Sequence, residues 1–185
     1  MTALDLSNNE DVLICEHKTT GTGLIGHAHL NMVGSLNALT LDAVKVLFDA
    51  ISHWFEREDI AAVLLTGEGE KAFCAGGDIQ ALYRAAVANN AAGELLDLYP
   101  FEFFAQEYRL DHLLHTFNKP VITLGHGIVM GGGYGLFAAS SHRVLTQRSK
   151  LAFPEITIDH AAAQNLFKSH QLNLQLMAIG ASITL

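Results

Sequence analysis

Two cysteines in 185 residues, Cys15 and Cys74, are too few for a disulfide framework, and three prolines leave no proline-rich linker. Positive charge is scarce. Eleven Lys and Arg stand against nineteen Asp and Glu, a formal charge of -8 that repels phosphate backbones at long range, so nucleic acid is not an expected partner. Charged residues of either sign make up only 16% of the chain while half of its residues are apolar, which excludes disorder and collagen-like repeats and leaves ample material for a core. The opening MTALDLSNNEDVL has neither a basic n-region nor an apolar h-region, so a reduced, cytoplasmic protein is expected. At 20.0 kDa one domain over residues 1–185 is expected.

One long uncharged run exists, from Pro120 to His142, and its length suffices on paper to cross a bilayer. Six glycines and His126 interrupt it, VITL after Pro120 has the character of a strand, and no second such run exists. A buried strand, a glycine-rich turn and a buried helix are expected there instead, with no membrane partner. Elsewhere VLICEHK (12–18) and GLIGHAHLNM (23–32) form a predicted hairpin across TTGTG. Leu41, Val44, Leu47, Phe48, Ile51 and Phe55 recur at helical spacing after Thr40 or Asp42, either of which suits a helix cap. IAAVLLTGEG (60–69) has the pattern of a buried strand, residues 81–117 are helical in period with breaks near Gly93 and at Pro100, and VITLGHG is another strand. A helix over 131–141, a strand at RVLTQ and a polar-faced helix over 160–176 complete the prediction. Alternating strands and helices imply an α/β domain with a largely parallel sheet.

Several motifs carry little. Gly21, Gly23 and Gly26 match a dinucleotide fingerprint literally, but a strand follows rather than the helix that the motif requires, so hairpin glycines are the expected reading. His27 with His29, and His112 with His115, place two imidazoles on one face, yet neither pair signals a third ligand and no metal site is expected. Glu56, Glu58 and Asp59 form a solvated helix end. KAFCAGGDI (71–79) and GHGIVMGGGYGL (125–136) are different: each follows a buried strand and leads into a helix, so two segments present accessible backbone N–H groups at strand ends. Two such donors converging on one point suit a thioester carbonyl whose oxygen gains negative charge, because preorganised donors need no reorganisation as the charge develops.

LNALTLD (36–42), KAFCAGGDI, NKPVITLGHGIVMGGGYGL (118–136) and LAFPEITI (151–158) together, in this order and spacing, resemble the crotonase superfamily of coenzyme A thioester enzymes over residues 12–158. The resemblance implies an α/β spiral of repeated ββα units, incomplete at the C-terminus, that assembles as a homo-oligomer. It also implies an oxyanion hole from the N–H groups of Gly77 and Gly132, with Asp78 and Glu107 among the substrate-binding positions. Coenzyme A is then part of an acyl-CoA substrate, and no separate cofactor is implied. Hydratases of the superfamily carry one glutamate just after the triple glycine and another in the PE segment, whereas this chain has Gly135 and Glu155. Adding water across a double bond needs both deprotonation of water and protonation of carbon, which one carboxylate does poorly.

GGGYGL and QEY (106–108) instead resemble the 3-hydroxyisobutyryl-CoA hydrolase branch, which implies Glu107 in substrate binding and Glu155 in catalysis, as a nucleophile on the thioester or as a base toward water. The expected function is therefore 3-hydroxyisobutyryl-CoA hydrolysis in valine breakdown. An enoyl-CoA hydratase or isomerase, with Glu107 as the second acid, is the alternative within the family. A third reading is a catalytically incompetent fragment that binds acyl-CoA or a partner. Its basis is the divergence of residues 159–185, where Ala163 replaces the branch's catalytic Asp, Asp159 sits only four residues beyond Glu155, and the long C-terminal helical region is missing. Met32, Val33, Gly34 and Ser35 likewise stand where relatives often have a proline and a basic residue, which weakens the expected contacts to coenzyme A phosphates.

Overall fold

The computed structural model describes residues 4–5 and 9–152. Strand β1 (Leu4–Asp5), strand β2 (Val12–Lys18) and strand β3 (Leu24–Leu30) pair antiparallel, and the β2–β3 turn closes where Thr19 donates both its N–H and its hydroxyl to the Gly23 carbonyl. The period of two sends Val12, Ile14 and Glu16 inward and leaves Cys15 and His17 on the other face. Helix α1 (Leu41–Glu56) starts at Thr40, whose hydroxyl accepts from the Ala43 N–H at 3.1 Å, and buries Leu41, Val44, Leu47, Ile51 and Trp54 against the sheet. Phe48 and Phe55, expected on the same stripe, are only half-buried, and Trp54 takes the central place.

Three successive chain segments then repeat one theme. β4 (Ile60–Gly67) and β5 (Ala72–Cys74), β6 (Val121–Gly125) and β7 (Ile128–Met130), and β8 (His142–Leu145) and β9 (Lys150–Ala152) each give one strand to a six-stranded sheet, ordered β1-β2-β3-β4-β6-β8, and the next to a three-stranded sheet, β5-β7-β9. Helices α2 (Ile79–Ala92) and α3 (Tyr99–His115) follow β5, and α4 (Gly132–Ala139) follows β7. This is the α/β spiral of ββα units implied by the sequence resemblance. All pairings from β3 onward are parallel, and only the β1–β2–β3 edge is antiparallel.

The small sheet was not legible as such, because β7 and β9 are three residues long and border glycines or polar turns. Gly93 ends α2 at φ 69°, as expected, whereas Pro100 lies in the first turn of α3, where a missing N–H costs nothing, and so opens that helix instead of breaking one. The uncharged run from Pro120 to His142 becomes β6, β7 and α4, and no helix among the described residues is long and apolar enough to cross a membrane. Residues 160–176, expected as a helix, lie outside the described residues.

Glu16 is 3% exposed in an apolar core, and its position is explained by its partners. The Trp54 indole N–H donates to Oε1 at 2.9 Å, and the Arg57 guanidinium, leaving the end of α1, pairs with both carboxylate oxygens. Trp54 in turn lies flat on Gly26, where a Cβ would come within 2.5 Å of the ring. Gly26→Ala is therefore expected to lower stability by about 1–3 kcal/mol through overpacking. A lower urea midpoint followed by the fluorescence of Trp54, the sole tryptophan, checks this, and an unchanged midpoint would contradict the packing described.

Candidate functional site

The loop that precedes α1 is laced to the loop after β5. Leu36 and Asn37 both adopt left-handed backbone, at φ 57° and 56°, and Asn37 holds that geometry from a buried position. Its side chain accepts from the Met32 N–H at 2.9 Å and donates to the carbonyls of Glu68 and Ala72, each at 3.0 Å. Leu36 O then accepts from Ala75, Leu39 donates to Gly76 O at 2.7 Å, and Asp78 donates to Leu39 O at 2.9 Å. These bonds engage the Gly76 carbonyl and the Asp78 N–H on either side of Gly77 and leave the N–H of Gly77 itself without an acceptor among the described residues.

The second loop arrives beside the first. A Cβ on Gly76 would stand 3.3 Å from the Met130 carbonyl and 3.7 Å from the Gly132 nitrogen. Gly132 is the first residue of α4, so its N–H belongs to the turn that has no intrahelical partner, and it too has no acceptor among the described residues. Gly77 and Gly132 thus bring two N–H groups with no acceptor among the described residues onto neighbouring loops.

Helix α3 forms the wall behind them. Phe103, Glu107 and Asp111 follow one another at i, i+4 and i+8, and each meets a glycine. A Cβ on Gly77 would fall 2.8 Å from Phe103 Cζ, one on Gly132 would fall 1.9 Å from Glu107 Oε1, and one on Gly135 would fall 2.6 Å from Asp111 Oδ2. Side chains at these positions would occupy the volume that α3 fills. Glu107 is 5% exposed beside the Gly132 loop. Asp111 Oδ1 is buried with no hydrogen-bond partner among the described residues, and burial pushes the Asp111 carboxyl up to about 7. Cys74, under the same loops, is fully buried and its thiol is pushed up to about 12, chiefly by burial, which makes it inert as a nucleophile.

Of the residues singled out in the sequence, Gly77, Gly132 and Glu107 converge. Asp78 borders them, but its carboxylate caps α2 by accepting from Gln80 N at 3.0 Å and Ala81 N at 3.1 Å. Glu155, Asp159 and Ala163 lie outside the described residues. His112 and His115 gather no third ligand among the described residues. His112 helps line a cleft of about 400 Å³ with Phe48, Tyr108 and Thr116, on the side of α3 away from the glycine row. Sequence reasoning missed Asp111. Its signal was present in the spacing, since Asp111 follows Glu107 by one helical turn just as Gly135 follows Gly132.

The profile of the enoyl-CoA hydratase/isomerase family matches residues 25–162. The chain is 38% identical over 136 residues to "3-hydroxyisobutyryl-CoA hydrolase, mitochondrial" of Danio rerio, covering 74% of this chain and 34% of that protein. It is also 38% identical over 130 residues to "Small ribosomal subunit protein mS47" of Neurospora crassa, covering 70% of this chain and 25% of that protein. The chain therefore spans about a third or less of the length of these curated relatives. Among solved structures, a carnitinyl-CoA dehydratase from Mycobacterium thermoresistibile superposes with a TM-score of 0.70 at 37% identity, covering 81% of this chain and 41% of that one.

The elevated Asp111 carboxyl has a thermodynamic consequence. Between its ordinary value of 3.8 and about 7 the folded chain holds a proton that the unfolded chain releases, so stability falls as pH rises through that window and the full cost is present above about 7. Asp111→Asn removes the ionisation and is expected to stabilise the protein at pH 8, on the order of 2–4 kcal/mol, with the difference shrinking toward pH 4. Thermal melts of both proteins across pH 4–8 check this, and a constant difference would contradict it.

Proposed function

Because the chain belongs to the enoyl-CoA hydratase/isomerase family, we propose that it supplies the thioester-binding part of an acyl-CoA hydrolase whose substrate is 3-hydroxyisobutyryl-CoA, an intermediate of valine breakdown. The observation that carries this reading is the convergence of the Gly77 and Gly132 N–H groups beside buried Glu107, with no side chain at Gly135. The two donors bind the thioester oxygen and strengthen their hold as it becomes an oxyanion. Glu107 accepts from a hydroxyl of the acyl group, a role suited to an acidic side chain facing a hydroxyacyl substrate. Glu155 either attacks the carbonyl carbon, giving an anhydride that water then cleaves, or takes a proton from the water that attacks it. Both routes break the C–S bond, and the net products are a carboxylate, the coenzyme A thiol and a proton.

A hydratase reading gains support from Asp111. Hydratases of the family place a carboxylate after the triple glycine, and here the Asp111 carboxyl comes within 2.6 Å of the point where a Gly135 side chain would begin. With its proton held up to about pH 7 by burial, it is suited to donate that proton to carbon while Glu155 activates water. We further propose a homo-oligomer, supported by Ile79, Tyr83 and Val87, which form an exposed apolar stripe at i, i+4 and i+8 on α2 and continue into exposed Leu95, Leu96 and Phe101.

Release of coenzyme A thiol from 3-hydroxyisobutyryl-CoA by the purified chain, with the two protein cysteines subtracted, tests the first reading. Glu155→Gln is expected to reduce turnover about 100-fold or more, while Asp111→Asn leaves it within about threefold. Hydration of a short enoyl-CoA, lost in Asp111→Asn, would replace the hydrolase reading with the hydratase one. Binding of either thioester without turnover would leave a binding subunit. Sedimentation at micromolar concentration is expected to show an oligomer, and a monodisperse monomer would overturn that part.

A further inference from the structure

On the sheet face turned away from α1, the β2–β3 hairpin gathers three side chains that can ligate a metal. Cys15 and His17 alternate onto this face of β2, and Cys15 stands opposite His27 of β3 in register. Cys15 Sγ lies 3.4 Å from His17 Nε2 and 3.7 Å from His27 Nδ1, and the two ring nitrogens are 3.0 Å apart. A tetrahedral ion with metal–sulfur bonds of about 2.3 Å and metal–nitrogen bonds of about 2.0–2.1 Å separates its ligand atoms by about 3.6 Å for sulfur to nitrogen and about 3.3 Å for nitrogen to nitrogen. The three side chains already stand at these edge lengths, to within a few tenths of an ångström. All three are half-buried.

The neighbouring strand decides which atom His27 presents. His29 Nε2 lies 3.0 Å from Glu68 Oε2, and the His29 ring holds the Glu68 carboxyl below its ordinary value, so this oxygen accepts and Nε2 donates. The Nδ1 of a neutral His29 must then accept from the Thr66 hydroxyl, 2.6 Å away. Thr66 Oγ1, having given its only proton, accepts from His27 Nε2–H at 2.7 Å. With His29 in that form, the chain from Glu68 through His29 and Thr66 leaves the lone pair of His27 on Nδ1, the atom aimed at Cys15 and His17. A ligating imidazole whose other N–H is held by a polar relay ending on a carboxylate is the arrangement by which proteins orient metal ligands.

We propose that Cys15, His17 and His27 form a site for a thiophilic divalent transition metal of the zinc class, held as thiolate plus two neutral imidazoles and oriented through Thr66, His29 and Glu68. The sequence pairs His27 with His29 along one strand and signals no third ligand. The hairpin instead supplies two ligands from across the register, and His29 serves as support. Binding displaces the thiol proton and the proton shared between His17 and His27, so affinity rises with pH. Soft thiolate with two nitrogens favours this class over magnesium or calcium, which prefer all-oxygen sites.

The test uses the full chain, stripped with chelator and titrated with Zn²⁺ or Co²⁺ alone. About one zinc per chain retained through gel filtration, and a near-ultraviolet thiolate-to-cobalt band with tetrahedral visible bands, are the expected results. Cys15→Ser is expected to abolish the near-ultraviolet band, His27→Gln to weaken zinc binding at least 100-fold, and Thr66→Val to weaken it about 10-fold with the band retained. Cys74, fully buried, gives no such band. Wild-type protein that shows no thiolate-to-cobalt band overturns the proposal without recourse to a variant, and so does zinc retention unchanged by His17→Gln and His27→Gln together.

Discussion

The close approach of α3 to three glycines is the contact on which the site depends. Phe103, Glu107 and Asp111 occupy volumes that ordinary side chains at Gly77, Gly132 and Gly135 would claim, so a single helix face both closes the core and places two acids behind the Gly77 and Gly132 loops. The glycines matter here less for backbone freedom than for letting a helix sit at backbone distance from N–H groups that have no acceptor among the described residues. Everything upstream serves that approach. The ββα units stack β5 beside β7, which brings the ends of both strands to one place, and Asn37 ties the loop before α1 to the first of them.

Three buried acids show how differently one chain treats a carboxylate. Glu16 has an indole N–H and a guanidinium, so both of its carboxyl oxygens are partnered deep in the core. Glu107 stands beside the α4 N-terminus, where the unpaired N–H groups and the helix dipole favour negative charge. Asp111 has neither, and an oxygen buried without a partner keeps its proton instead. A carboxyl that burial pushes up, one turn from an acid beside a helix N-terminus, places two acids in unlike surroundings on one helix face.

Much of this was legible in the residues. The hairpin, α1 with a cap at Thr40 or Asp42, and the two glycine segments followed from period and turn chemistry, and the four motifs pointed to the spiral by resemblance. What escaped were features that depend on neighbours from distant segments. The three-residue strands β7 and β9 have too little pattern to be seen apart from their pairing. Asp111 looked like any helical aspartate until the orientation of α3 was known. Cys15 and His17 were overlooked because ligand spacing was sought along single strands, whereas the hairpin register joins Cys15 to His27.

Gly135 and Asp111 share one volume, and that sharing shapes how the sequence is able to change. A lineage that gained a glutamate at 135 before losing the aspartate at 111 would force two carboxyl groups into a space that holds one. The reverse order leaves a hole next to a glycine, a milder defect. The two positions are thus bound to drift as a couple, with effects far from additive, and the route between these two arrangements has a preferred direction: the helix yields first, and the loop follows.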